Sequence, residues 1–194
     1  MKPFAESSEE NKHPILQVLK DELHDSRRVL EVGSGTGQHA VFFAEQLPHL
    51  QWICSDLEEN HAGIRMWLQE AGLENTEGPL LLDAREAWPA IEIDTVFSAN
   101  AIHIMSWEAV KGMIRNVGTL LPGGGRLYLY GPFMYDGQHT SESNARFDVW
   151  LKERDPLSGV RDVTELAALL NAENMELVRD YEMPVNNRIL VWQR

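Results

Sequence analysis

The chain has 194 residues, of which 43% are hydrophobic and 24% are charged, and its formal net charge is −13. This composition is typical of one soluble globular domain over residues 1–194, and the negative charge argues against a nucleic-acid partner, whose phosphates it would repel. No apolar run approaches the length of a membrane span and the polar N-terminus lacks the pattern of a signal peptide, so we expect no membrane partner and a cytoplasmic location.

The first predicted element is an amphipathic helix within residues 1–26, which would form an N-terminal helical cap. Its apolar positions include Ile15, Leu16 and Leu19. The start of this helix is ambiguous, because Ser7 suggests one cap whereas Pro14 suggests a start near residues 11–13.

Strand-like and helix-like segments then alternate along the chain. The β runs are RRVLEVG, LQWICSD, GPLLLDA, IDTVFSAN, RLYLYGPF, ELVRDYEM and RILVWQ. Ser106 is a predicted N-cap of the helix that follows the fourth run, and Asp162 caps a later helix. Because only PVNN separates the last two runs, which is too short for a crossover, they should pair antiparallel. The pattern predicts an α/β fold with a seven-stranded, mostly parallel sheet, the last strand antiparallel, and helices on both faces.

One segment, residues 134–161, interrupts the alternation. Residues 141–153 within it have helical character. Open α/β sheets bind ligands at the carboxyl ends of their strands, and this insertion should lie above that edge. We therefore expect it to form the substrate side of a site.

The stretch VLEVGSGTG joins the first β run to a helix through Gly33, Gly35 and Gly37. Such a turn lets the backbone approach a ligand closely, and the following helix presents its positive end. The dinucleotide pattern G-x-G-x-x-G does not fit, because the third glycine comes one residue early, and no G-K-[ST] follows for a Walker loop.

LEVGSGTG resembles motif I of the class I S-adenosylmethionine-dependent methyltransferases, in which an acidic residue precedes G-x-G-x-G. FAESSEENKHPIL, NAIHIMSW, YGPF, SNARFDVWLKERDPLSGVRD and MPVNNRILVW further resemble one small methyltransferase-like family of unknown function. The resemblance implies the Rossmann-like class I methyltransferase fold, S-adenosylmethionine as cofactor with S-adenosylhomocysteine (SAH) as product, and no established substrate.

The resemblance also implies a set of cofactor-binding residues. The motif I acid and loop would bind the methionine part, an acid after the second strand the ribose, and residues after the third strand the adenine. For Asp56 a helix cap is the alternative, and for Asp83 an exposed loop acid. The predicted contacts are Glu31, Gly33, Ser34, Gly35, Gly37, Asp56, Asp83, Ala84, Asn100 and, from an N-terminal segment folded over the cofactor, Asn11.

The predicted reaction is methyl transfer to a small-molecule acceptor. His103 follows the fourth strand and is the candidate general base, with a buried structural histidine as the alternative. His139 is more typical of a loop surface, Tyr128 and Tyr130 of strand packing, and Arg154 and Arg161 of surface ion pairs. The segment after the fourth strand lacks [DN]-P-P-[YF], which argues against amino groups of nucleic-acid bases or glutamine as acceptors.

Two other functions stay open from the sequence. The chain could be a non-catalytic S-adenosylmethionine- or SAH-binding sensor or partner subunit, because no residue is decisive for catalysis. A nicotinamide-dependent oxidoreductase is disfavoured by the glycine spacing.

Cysteine and histidine usage argues against disulfides and metal sites. Cys54 is the one cysteine, and its apolar surroundings in WICSD predict a buried side chain. The histidines are scattered, with no H-x-x-x-H pair, so we expect no metal.

Overall fold

The computed structural model describes residues 2–194, which form ten strands, six α-helices and one short 3₁₀-helix. The strands are Arg28–Val32 (β1), Gln51–Asp56 (β2), Thr76–Leu81 (β3), Thr95–Ala99 (β4), Arg126–Gly131 (β5), Phe133–Tyr135 (β6), Gln138–His139 (β7), Arg161–Asp162 (β8), Glu176–Met183 (β9) and Asn187–Gln193 (β10). The helices are Glu6–Glu22 (α1), Gln38–Gln46 (α2), Glu58–Ala71 (α3), Trp107–Leu120 (α4), Glu142–Arg154 (α5) and Val163–Ala172 (α6), and the 3₁₀-helix is Pro184–Asn186.

Seven strands form the main sheet in the order β3-β2-β1-β4-β5-β10-β9. β10 pairs antiparallel with both β5 and β9, and the other pairs are parallel. The predicted sheet and its reversed last strand are therefore confirmed. The third strand lies earlier in the chain than the predicted run GPLLLDA. It spans Thr76–Leu81, and its pairing with β2 ends where Leu81 pairs with Asp56, the last residue of β2.

Helices cover both faces of this sheet. On one face α4 and α6 bury Val110, Met113, Ile114 and Leu166 against sheet residues such as Leu127. On the other face α1, α2 and α3 cover a second core. Its buried members include Ile15, Leu19, Phe43, Ile64, Trp52, Phe97, Tyr128 and Tyr130. The predicted strand packing of both tyrosines is confirmed, and Cys54 is buried as predicted.

The first helix is longer than Pro14 suggested. α1 begins at Glu6 and continues through Pro14, so a start near residues 11–13 is wrong. The helix runs from the carboxyl edge of the sheet to the amino edge. Near its start Asn11 meets His39 on α2, and near its end Glu22 meets Tyr128 on β5.

The segment 134–161 contains the predicted helix and, together with its flanking residues, forms three short strands that the sequence did not indicate. In α5 the Ser141 side chain accepts a hydrogen bond from the Asn144 backbone N–H. The short strands β6 and β7 form a hairpin, and β8 pairs parallel with β6. Runs of two or three residues are too short to show a recognisable alternation, so these strands have no signal in the sequence.

Two predicted helix caps are confirmed. Ser106 accepts from the Ala109 N–H at the start of α4, and Asp162 accepts from the Thr164 N–H at the start of α6. Within residues 2–194 every helix is too short or too polar to span a bilayer.

Candidate functional site

The glycine loop lies at the carboxyl end of β1 and is held against β2. The backbone N–H groups of Gly33 and Ser34 both donate to the Ser55 carbonyl at 3.0 Å. Gly35 has a φ of 58°, and a Cβ there would meet no atom of residues 2–194 within 4 Å. A Cβ at Gly37, by contrast, would lie 3.2 Å from the Ile64 Cα in α3. The loop is therefore packed closely at one end and opens onto free space at Gly35.

Glu31 lies directly beneath this loop. Its side chain is only 2% exposed and accepts from the Ser34 hydroxyl at 2.8 Å and from the Trp52 indole N–H at 3.2 Å. Burial raises the pKa of Glu31 to about 7, the two donors oppose this, and the charge of Asp56 adds to it. Both donors are neutral, so neither balances a charge on the Glu31 carboxylate. A cation that approached it would favour the ionised form of Glu31.

Asp56, at the end of β2, connects the loop to α3. Its Oδ2 accepts from the Gly35 N–H at 2.7 Å, and its Oδ1 accepts from the Leu57 N–H at 2.7 Å and from the Asn60 side-chain amide at 2.8 Å. Asp56 is not the N-cap of α3, since Leu57 holds that position and no side chain caps the helix, and ribose binding by Asp56 stays a prediction.

Asp83 and Ala84 follow β3 in a different environment. Both oxygens of Asp83 accept hydrogen bonds from the Arg85 side chain, which lowers the pKa of the carboxyl. Ala84 is buried, and its carbonyl lies against Gly112 of α4. The carboxylate is the more accessible of the two, and adenine binding by this pair stays a prediction.

The end of β4 brings Asn100 and His103 together. Asn100 has a φ of 55°, a left-handed conformation that asparagine tolerates better than most residues. A Cβ at Gly131 would lie 3.7 Å from Asn100 Oδ1 and 3.4 Å from His103 Nδ1, so both polar atoms border the space that this glycine leaves free.

The His103 ring is neutral at physiological pH. The residue is 4% exposed, and burial, with the nearby charge of Arg161, lowers its pKa to about 4. A neutral imidazole can accept a hydrogen bond, but it holds a transferred proton only weakly.

Asn11 reaches this edge from α1. Its Oδ1 lies 2.7 Å from His39 Nε2 on α2, and burial lowers the pKa of His39 to about 4. His39 is thus neutral, and the contact assigns its proton to Nε2 because Asn11 Oδ1 can only accept.

Three residues outside the predicted set also lie here. Asn187 donates from its amide to the Tyr130 hydroxyl at 3.1 Å. Gln38 accepts from the Ala5 N–H and the Thr36 hydroxyl, and its buried Nε2 has no partner among residues 2–194. In the sequence, the only signals for these residues are the segments YGPF, which contains Tyr130, and MPVNNRILVW, which contains Asn187.

Three expectations for the inserted segment need correction. Arg161 is not in a surface ion pair. Its partly buried guanidinium donates to the backbone carbonyls of Ile102 and Met105, which follow β4, and to that of Leu157, which follows α5. His139 is partly buried on β7, with Nε2 3.6 Å from Asp148 Oδ2, rather than on a loop surface. Arg154 instead lies over the Trp150 ring at 4.6 Å.

The structure therefore gathers most of the predicted site residues at one edge. Glu31, the glycine loop and Asp56 are in mutual contact, and Asn100 and His103 lie side by side at the end of β4. Asp83 is paired with Arg85, and its neighbour Leu82 donates from its N–H to the Asp56 carbonyl at 3.3 Å. Across residues 2–194 no group of three or more histidine, cysteine or acidic side chains is arranged to hold a metal ion.

A comparison with known families decides the relationship. The model of DUF938, a protein family of unknown function, matches residues 2–194. The chain belongs to the DUF938 family. The family relationship inferred from the motifs is thus confirmed.

Solved structures similar to this DUF938 protein are methyltransferases. The S-adenosylmethionine-dependent methyltransferase SibL is 23% identical, with a TM-score of 0.81 over 97% of this chain and 55% of SibL. An O-methyltransferase family protein from Burkholderia thailandensis is 17% identical, with a TM-score of 0.79 over 94% of this chain and 56% of that protein. PigF, solved with SAH, is 17% identical, with a TM-score of 0.80 over 93% of this chain and 55% of PigF.

These similarities confirm the predicted methyltransferase fold. At such identities they are similarities of fold, and the DUF938 chain spans about half the length of the proteins it matches.

Proposed function

We propose that this protein is an S-adenosylmethionine-dependent methyltransferase that acts on a small-molecule acceptor. The observation that supports this most directly is the open space above Gly35, with the buried acid Glu31 beneath the loop and Asp56 at its rim. The free space at Gly35 leaves room for a ligand, and the acid suits a ligand that carries an ammonium group.

The chemistry of the residues present supports the cofactor assignment. The backbone of Gly33, Ser34, Gly35 and Gly37 would line its methionine part, with Glu31 as the counter-charge to its ammonium group. Asp56 would retain an acceptor site on Oδ2 for a ribose hydroxyl, because Oδ1 already accepts from Leu57 and Asn60 while Oδ2 accepts only from Gly35. Asp83 and Ala84 would contact the adenine, Asn100 the methionine end, and Asn11 would close the site from α1. PigF, which has this fold, was solved with SAH.

Bound S-adenosylmethionine would supply a methyl group on a positively charged sulfur. The protein's own contribution would be chiefly to position the acceptor in line and to exclude water. His103 would accept a hydrogen bond from the acceptor. Because its pKa is lowered to about 4, it would orient and polarise an acidic group better than it would deprotonate an alcohol.

Isothermal titration calorimetry with SAH tests the cofactor site. Gly35→Asp should weaken SAH binding by roughly 100-fold or more, because the new carboxylate fills the open space and lies close to two existing acids. Gly72→Asp is the matched control: Gly72 also has a left-handed φ, 60°, and free space around it, but it lies at the end of α3. If Gly35→Asp folds and binds SAH as tightly as Gly72→Asp does, the assignment of the loop is wrong.

The low pKa of His103 favours one second candidate, a sensor or partner subunit that binds the cofactor without catalysis. Incubating the protein with lysate and S-adenosylmethionine carrying a labelled methyl group separates the two functions. Label on a small molecule supports the enzyme, whereas SAH binding without any transferred label supports the sensor. A thermal shift with NADH but not with SAH would instead point to an oxidoreductase.

A further inference from the structure

Residues 2–5 lie outside the regular elements and form a strap across α3. The Pro3 carbonyl accepts from the Trp67 indole N–H at 2.8 Å. The Lys2 ammonium lies 3.6 Å from the centroid of the Trp67 ring and 2.7 Å from Glu70 Oε1. Trp67 and Glu70 are three residues apart on α3, so the strap is attached to one side of that helix.

The strap also packs closely on the backbone of α3. A Cβ at Gly63, inside this helix, would lie 2.5 Å from the Pro3 Cγ, which is closer than side-chain carbons approach one another. A proline ring cannot swing aside without moving its own backbone. Glycine at position 63 therefore leaves the room that the strap occupies, although alanine would suit the helix better.

The other end of the strap is bonded to Gln38, the first residue of α2. Gln38 Oε1 accepts from the Ala5 backbone N–H at 2.5 Å and from the Thr36 hydroxyl at 3.0 Å. Because a backbone N–H can only donate, the Ala5 contact assigns Oε1 rather than Nε2 to this position. Thr36 belongs to the glycine loop, so one buried oxygen joins the strap to that loop.

Glutamine at position 38 carries a cost that the contacts of its oxygen explain. The residue is 4% exposed, and its Nε2 has no partner among residues 2–194. A buried amide N–H group without an acceptor opposes folding. An apolar side chain of similar length would avoid this cost but could not accept the two hydrogen bonds.

The glycine loop needs contacts of this kind because its backbone is otherwise free to move. All three of its glycines have a positive φ, and glycine loses more conformational freedom on ordering than any other residue. On the side of β2 the loop is held by the Ser55 carbonyl and the Asp56 carboxylate. On the side of α2 the Thr36 hydroxyl bonds to Gln38, whose oxygen also binds the strap.

We propose that the strap is part of the cofactor site and that Gln38 is a positioning residue. Through Gln38 the strap fixes the glycine loop in the conformation that binds the amino-acid end of the cofactor. The inference rests on the proposed methyltransferase function, in which the loop lines the methionine part. A strap that favours cofactor binding must itself be stabilised when the cofactor binds, because coupling between two sites is reciprocal.

Two variants release the strap at its two ends. Gln38→Met keeps the length of the side chain but removes the oxygen, and Gly63→Ala displaces Pro3 while favouring the helix. Each should weaken SAH binding, measured by calorimetry, by about 5- to 10-fold, the effect of losing one or two modest hydrogen bonds. 5′-Methylthioadenosine has the adenine, ribose and sulfur of SAH but no amino-acid end. Its binding should change by less than about 2-fold in either variant.

Gln46→Met is the matched control, because Gln46 is the exposed last residue of the same helix. It should bind SAH as the wild type does. The double variant Gln38→Met/Gly63→Ala should bind SAH no more weakly than the weaker of the two single variants, because both changes act through one strap.

Hydrogen exchange tests the reciprocal effect without any variant. In the wild type SAH should slow the exchange of the Ala5 amide, measured by NMR, because this N–H donates to Gln38 Oε1. In Gln38→Met, which lacks that acceptor, SAH should leave the Ala5 amide unchanged. Should a variant fail to fold, the exchange of this amide in the wild type decides alone.

The outcomes separate this inference from the proposed function. The strap does not position the loop if either single variant, folded by its thermal melt, binds SAH as tightly as Gln46→Met. Equal losses for SAH and 5′-methylthioadenosine, additive losses in the double variant, or an Ala5 amide that SAH leaves unchanged in the wild type would also overturn the inference. In each of these cases the cofactor site stands, whereas failure of the wild type to bind SAH would overturn the proposed function itself.

Discussion

Replacing Glu31 by glutamine tests the environment beneath the glycine loop. The substitution keeps the length of the side chain and an oxygen that can accept from the Ser34 hydroxyl, but it removes the ionisable proton. Any pH dependence of stability that is present in the wild type and lost in Glu31→Gln therefore comes from this carboxyl group.

The magnitude follows from the pKa of Glu31, which burial raises from 4.5 to about 7. Between these two values the folded protein keeps a proton that the unfolded chain has lost. Because the unfolded state binds fewer protons in this window, the free energy of unfolding falls as pH rises through it. The shift corresponds to a loss of about 3 kcal/mol, complete above the folded pKa.

Urea unfolding of both proteins at pH 5 and pH 8 measures this effect. The wild type should lose about 2.5 kcal/mol more than Glu31→Gln between the two values, because a part of the full loss has already occurred at pH 5. Subtracting the variant's change removes contributions from every other titrating group. If the two proteins change in parallel, to within about 0.5 kcal/mol, Glu31 ionises normally and the reasoning about the loop fails.

Three further predictions follow from individual contacts. Ser106→Ala should lower the free energy of unfolding by about 1 kcal/mol, measured by urea denaturation, because the Ala109 N–H loses its cap; an unchanged midpoint would contradict the capping role. Cys54 should not react with a thiol reagent at pH 8 until the protein is unfolded, because it is buried and burial raises the pKa of its thiol; rapid labelling of the native protein would show an open site there. SAH binding at pH 6.5 should release protons from Glu31, because the ligand's ammonium group favours the charged carboxylate; calorimetry in buffers of different ionisation enthalpy measures this, and Glu31→Gln should abolish it.

Much of the fold was predictable because its signals are local. The β runs end in loops, their apolar residues are continuous, and the caps at Ser106 and Asp162 lie within three residues of the groups they bind. The start of α1 was not predictable, because Ala5, its N-cap residue, makes no side-chain cap. The end of β3 was also missed, because pairing with β2 sets it and the apolar run LLL continues past that point.

The candidate site shows the same division. The glycine loop, Glu31 and Asp56 could be identified because they are close in sequence or at fixed positions after strands. The contact between Asn187 and Tyr130 joins residues 57 positions apart, and neither residue type indicates its partner. Arg161 was interpreted wrongly because the carbonyls it binds lie up to 59 residues away and backbone carbonyls leave no sequence signal.

The position of β10 between β5 and β9 constrains the order in which the strands of the sheet can pair. This strand lies between β5 and β9 and is hydrogen-bonded to both, so β9 has no neighbour until residues 187–193 have been synthesised. Because Ile189 of β10 pairs with Tyr130 of β5, β9 joins the sheet only after a contact between residues far apart in the sequence has formed, and contacts of this kind slow folding.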